Sequence, residues 1–110
     1  MKTFDIKSAG QTVSEAQYDL ENILKMMKHE IAIKIIHGYG SHGVGGKIKH
    51  MTHQVLNECM TRKRISGFLP GEATTSLMGF DQLIHRYLQI LKQDSDFHRG
   101  NDGITYVFFK

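Results

Sequence analysis

A chain of 110 residues, 40% hydrophobic and 23% charged, has the size and balance of a single folded domain, and no repeat or low-complexity linker divides it. No apolar run approaches the roughly 18 to 20 residues that cross a bilayer, and the start MKTFDIKSAG has no apolar stretch of the kind a signal peptide needs. The net charge of +3 is too small to imply a polyanion partner by itself, and the lone Cys59 excludes an intrachain disulfide, so a reducing cytoplasm is the expected compartment.

In chain order, Thr3 to Lys7 reads as a short first strand. Thr12-Val13-Ser14-Glu15 is a capping box, and Val13, Ala16, Leu20, Ile23, Leu24 and Met27 recur behind it at helical spacing, which predicts a helix over 13–28. Ile31 to Ile36 is β-branched and almost wholly apolar, the pattern of a buried central strand. Five glycines follow (Gly38, Gly40, Gly43, Gly45 and Gly46), and then Ile48, Met51, Thr52, Val55, Leu56 and Cys59 mark the apolar stripe of a second helix. Arg64 to Leu69 reads as a third strand stopped by Pro70-Gly71. Phe80, Leu83, Ile84, Tyr87, Leu88 and Leu91 predict a third helix over 80–93, DSDFHRGNDG a polar loop, and Ile104 to Phe109 a closing strand. The order β-α-β-α-β-α-β is that of an α/β domain, and the alternation implies a largely parallel sheet covered by helices. Ligands of such sheets sit beyond the carboxyl ends of strands, which is where the glycines fall.

Glycine lets backbone N–H groups converge and lets a ligand approach closely, and a helix N-terminus adds a partial positive charge. Lys47 and Lys49 add full charges. From Ile31 to Asn57 there is no Asp or Glu, while Lys34, Lys47, Lys49, His37, His42, His50 and His53 fall within the span. The pattern suits phosphate or another oxyanion. A Walker A reading fails, because Ile48 stands where Ser or Thr would follow Lys47 to hold magnesium. Gly38-x-Gly40-x-x-Gly43 matches a dinucleotide fingerprint, but the acidic residue wanted about 20 positions on would be Glu58, on a helix rather than at a strand end.

Single residues carry two readings each. His37 ends the buried strand, as a phosphate contact or general acid–base, or as a ring that fixes the loop through backbone hydrogen bonds. Asp5 is a functional carboxylate or a partner for Lys7 or Lys34. Tyr39 stacks on a base or packs the loop. His50 and His53, at i and i+3, read as solvated side chains of a helix face and not as a metal site, having no Cys or acidic partner near. Arg62-Lys63-Arg64 extends a basic surface or is a solvated charge run, and Cys59 reads as an inert buried thiol.

In Ile35-Ile36-His37-Gly38-Tyr39-Gly40 the chain resembles the Smr (small MutS-related) domain family, in which a strand ends in a His-Gly-x-Gly motif. Phe4-Asp5-Ile6 ahead of Thr12-Val13-Ser14-Glu15-Ala16, Phe68-Leu69-Pro70-Gly71-Glu72 after the second helix, and Gly103-Ile104-Thr105-Tyr106-Val107 in the last strand resemble the family layout across nearly the whole chain. The resemblance implies a compact two-layer α/β sandwich with a four-stranded mixed sheet, similar to the C-terminal domain of translation initiation factor three. It implies DNA or RNA as the partner and, in some members, metal-assisted endonuclease activity. Two departures stand out. Nuclease-competent members carry Leu-Asp-x-His on the first strand, where this chain has Phe4-Asp5-Ile6-Lys7. A protonated lysine neither binds metal nor accepts a proton, although it contacts phosphate. A segment over about 73–102 also inserts a helix before the final strand, as in the small stand-alone branch of the family.

The expectation is one domain over 1–110 that binds nucleic acid, with Gly38, Tyr39, Gly40, Gly43, Gly45, Gly46, Lys47, Lys49 and Lys7 at the phosphate, no membrane partner and no certain cofactor. One alternative is an endonuclease using His37 and Asp5, with a divalent metal ion. Another is a protein-interaction module docking through the 80–93 helix.

Overall fold

The capping box at Thr12 forms as read, with Glu15 N–H donating to Thr12 Oγ1 at 3.1 Å and Thr12 N–H to Glu15 Oε1 at 2.9 Å. Two amides that a helix start leaves without partners are satisfied, a gain of about 1 kcal/mol. This opens α1, Val13–Met26, in the computed structural model, which describes residues 1–8, 12–39, 44–75 and 79–110. The other main elements are β1 (Lys2–Asp5), β2 (Ala32–Ile36), α2 (Val44–Thr61), β3 (Gly67–Pro70), α3 (Asp81–Arg86), α4 (Leu88–Leu91) and β4 (Ile104–Phe108), with a 3-10 turn at Gly71–Thr75.

Two boundaries differ from the sequence reading for identifiable reasons. The third strand starts at Gly67 and not at Arg64, because α2 closes on a paired cap: Lys63 N–H donates to Met60 O at 3.0 Å and Arg64 N–H to Cys59 O at 2.8 Å. Lys63 takes the left-handed position of that cap, at φ 58°. The predicted 80–93 helix is two short helices broken at Tyr87, where φ is −111° and ψ is 18°. There the Tyr87 ring lies flat on Phe108, with centroids 4.0 Å apart and planes at 8°. The stacking on the sheet overrides the helical period.

The sheet order is β1-β2-β4-β3, with β1 and β2 parallel and β4 antiparallel to both of its neighbours. β1, β2 and β3 therefore run one way, as the alternation implies, and β4 enters between β2 and β3 in reverse. The sheet is mixed, in accord with the expected fold class. The carboxyl ends of β1, β2 and β3 and the amino end of β4 all meet at one edge.

The period-two alternation divides the core. Ile33, Ile35 and Val107 face α1 and α2, packing with Ala16, Leu20, Leu24, Ile48, Met51 and Leu56. That helix pair and the sheet are the two layers. Ala32, Leu69, Tyr106 and Phe108 face the other way, against Tyr87, Leu91 and Phe97. The inserted segment thus spends its apolar side on the second face of the sheet.

A buried cation holds that segment down. Lys34, 7% exposed, donates to both carboxylate oxygens of Asp94 at 3.0 Å and to Asp96 Oδ2 at 2.7 Å. Tyr106 OH donates to Asp94 at 2.7 Å and Asn101 Nδ2 to Asp96 Oδ1 at 3.1 Å. Burial alone would lower the Lys34 pKa, but the hydrogen bonds and charges of Asp96 and Asp94 raise it above the ordinary lysine value. The acid-free span of the sequence is therefore no continuous basic surface, since Lys34 lies on the face away from α2 with two carboxylates on it. Among the described residues no helix is long and apolar enough to cross a membrane.

Candidate functional site

At the edge where the strands end, the backbone is clasped. Ile6 N–H donates to Ile36 O at 3.0 Å, and the next two amides of that chain, His37 and Gly38, both donate to Gly103 O at 3.0 Å. Gly38 sits at φ +86°, and a Cβ there would lie 2.9 Å from Lys7 Cδ. Glycine is needed for the left-handed turn and because the stem of Lys7 lies across it. The Gly38 N–H, expected in a phosphate cradle, is thus turned inward and already paired.

His37 is fully buried, at 0% exposure. Its Nδ1 is 3.0 Å from Gly38 O and its Nε2 is 2.8 Å from Thr105 Oγ1. Burial pushes its pKa down to about 4, a shift the Gly38 bond opposes and the neighbouring His53 and Lys49 reinforce. The ring is neutral at neutral pH.

The same hydroxyl takes a second histidine: His53 Nε2 is 2.9 Å from Thr105 Oγ1. The protons follow by elimination. A carbonyl only accepts, so His37 carries its proton on Nδ1. Its bare Nε2 accepts from the Thr105 hydroxyl. That hydroxyl has one proton, so His53 donates from Nε2. The chain of donors runs His53 to Thr105 to His37 to the Gly38 carbonyl, from α2 through β4 to the end of β2. It leaves Nδ1 of His53 as the ring atom with a lone pair while His53 is neutral. Burial, then Lys49, lowers the His53 pKa as well.

Lys49 and Glu72 stand beside this chain, with Lys49 Nζ 2.7 Å from Glu72 Oε2. The ion pair ties the first half of α2 to the turn after β3. Gly71, at that turn, is packed so closely that a Cβ would run into the Asn101 carbonyl and the Ile104 side chain.

The outer rim is different in kind. Lys7 and Lys47 are exposed, and Tyr39 is 63% exposed with its ring edge against the backbone at Gly103, where an added Cβ would come within 3.3 Å of Cε1. Asp5 is turned onto its own chain: Oδ1 accepts from Lys7 N–H at 2.8 Å and Ser8 N–H at 3.0 Å, and Oδ2 is 3.9 Å from Lys7 Nζ. Of its two candidate partners, Lys7 is the one it meets. Gly45 and Gly46 lie in the first turn of α2, which carries no acidic residue, and not in a loop. Gly40 and Gly43 lie outside the described residues.

The sequence singled out His37, Gly38 and Lys49, the last two as phosphate contacts, whereas the Gly38 N–H is bonded to Gly103 O and Lys49 to Glu72; it passed over Thr105 and misread His53. His53 is half-buried, not solvated. Its position four residues after Lys49 and beside the Ile48–Thr52 stripe was the available signal. Nothing in the sequence distinguished Thr105 from its β-prone neighbours. Among the described residues no group of three His, Cys, Asp or Glu side chains is placed to hold a metal ion.

The chain matches no family model, no curated protein and no solved structure at significant similarity.

Proposed function

We propose that this is a small Smr-like domain that binds nucleic acid by its phosphate backbone at the edge where β1, β2 and β3 end. The observation that carries the reading is Tyr39, 63% exposed at the end of β2, on the same edge as exposed Lys7. An exposed aromatic beside cations is a platform on which an unpaired base stacks while lysine meets phosphate. The first turn of α2, free of acidic residues and containing Lys47, offers a favourable dipole for an anion. In this reading His37, Thr105 and His53 are the rigid support beneath the rim. His37 has both ring nitrogens engaged and Asp5 is engaged in a turn, which favours binding over cleavage by that pair.

The test is fluorescence anisotropy with labelled single-stranded DNA and RNA across a salt series. Affinity should fall steeply with salt, and Lys7→Ala and Lys47→Ala should each reduce the slope of log K against log salt by about one. Absence of binding at low salt, or slopes indifferent to both lysines, would overturn the proposal. Plasmid nicking and RNA cleavage assays on the same protein test the nuclease alternative directly.

A further inference from the structure

A second candidate site lies elsewhere, in a cleft. It opens between the C-terminal halves of α1 and α2 and has a volume of about 590 Å³, within the roughly 300 to 1,000 Å³ typical of small-molecule sites. Phe109, which lines it, follows β4, and its N–H bonds to Ile31 O just ahead of β2. The cleft is therefore at the end of the central strands away from the glycines, roughly 17 Å along β2.

Its chemistry is two-sided. Leu24, Val55, Ile65 and Phe109 give it an apolar lining, and Leu24 and Ile65 belong to the core itself. Lys25, Lys28, Arg62 and Arg64 also line it, against two carboxylates, Glu21 and Glu58. Glu58 is paired with Arg62 at 3.0 Å. No carboxylate among the described residues forms an ion pair with Lys25, Lys28 or Arg64. Arg64 is brought there by the left-handed turn at Lys63 that closes α2. Three cations beside an apolar hollow complement a molecule that is apolar along its body and anionic at one end. A bare phosphate would leave the lining unused, and a neutral hydrocarbon would leave the cations unused.

We propose that this cleft binds a small amphipathic anion, its body against Leu24, Ile65 and Phe109 and its head group among Lys25, Lys28 and Arg64. The site is independent of the proposed nucleic-acid edge.

Cys59 makes the proposal measurable. It is the only cysteine of the chain, it is half-buried, and it lines the cleft. Burial raises its thiol pKa, so its basal labelling is slow. The experiment follows the reaction of Cys59 with a chromogenic disulfide on the full chain, with decanoate, decanol or inorganic phosphate as probe. Decanoate should protect saturably, slowing labelling about fivefold at four times its Kd, as occupancy requires. Decanol and phosphate should protect far less. The double variant Lys28→Ala/Arg64→Ala alters exposed side chains and should lose the decanoate effect, read as the ratio of its own labelling rates with and without decanoate, because Arg64 also lowers the Cys59 pKa and its removal changes the unliganded rate. Chemical shifts of the Leu24 and Ile65 methyl groups give a second readout that does not depend on the thiol. Equal protection by decanol, absence of saturation, or protection that survives the double variant would each refute the site and leave the cations as partners of two helix C-termini only. Protection by an oligonucleotide in place of decanoate would refute it as well, by moving the nucleic-acid surface to this end.

Discussion

The rings of His37 and His53 meet edge to face, centroids 5.6 Å apart and planes at 87°, and both bond to one oxygen, the hydroxyl of Thr105. Three elements distant in sequence are joined through that atom, and its removal leaves two ring nitrogens without partners in a place water reaches poorly. Thr105→Val, which keeps the shape, should cost about 2 kcal/mol, the penalty of unsatisfied buried polar groups, while Thr105→Ser should cost under about 1 kcal/mol. Urea denaturation of the three proteins decides this, and equal midpoints for Val and Thr would show the hydroxyl to be idle.

The same burial sets a pH dependence. The folded chain keeps His37 neutral down to about pH 4, whereas an unfolded imidazole takes up its proton near 6.5. Between those values the unfolded state binds more protons, so stability falls as pH falls from 6.5 towards 4, by about 3 kcal/mol from this residue. Nitrogen-15 NMR of the imidazoles should find His37 protonated on Nδ1 alone at pH 6. A doubly protonated His37 at that pH contradicts the hydrogen-bond chain.

Lys34 should be among the most costly residues to replace. Lys34→Met removes the cation between Asp94 and Asp96 and leaves two carboxylates facing a buried surface, which should cost about 3 to 5 kcal/mol. Adding Asp94→Asn and Asp96→Asn should recover part of the loss. An unchanged denaturation midpoint for Lys34→Met would mean the inserted segment does not depend on the ion pairs.

Lys63 offers the opposite prospect. A lysine at φ 58° holds a conformation that glycine adopts freely, so Lys63→Gly should stabilise the protein by about 1 kcal/mol and raise Tm by roughly 4 °C. A lower Tm would show that the side chain makes up for the strain of its backbone.

Tyr39 tests the proposed interface without touching charge. Tyr39→Ala should weaken single-strand binding by about 1 to 3 kcal/mol with the salt slope unchanged, and Tyr39→Phe should bind nearly as the parent does. Equal loss in both variants would assign the effect to the hydroxyl and not to stacking.

Much of this architecture was legible in the sequence because it rests on local rules. The capping box at Thr12, the β-branched run that includes Ile33, Ile35 and Ile36, and the apolar stripe from Ile48 to Cys59 each declare their element within a few residues. What escaped is what depends on partners far away. Tyr87 breaks a helix because Phe108 lies under it. Lys34 reads as part of a basic span until Asp94 and Asp96 fold onto it. Thr105 and His53 become one unit only when β4 enters beside β2. The candidate site was half-readable for the same reason: His37 and Gly38 sit in a conspicuous local motif, whereas their partners are scattered.

The last strand in chain order occupies a central place in the sheet, and this shapes how the domain is made. Among the described strands β3 pairs only with β4, and β4 joins β2 across about 70 positions of sequence. A ribosome that has released β1 to β3 has produced three strands whose sheet still lacks its keystone. The decisive closure waits for Ile104–Phe108 to emerge, and until then the apolar faces of α1 and α2 have only part of their floor.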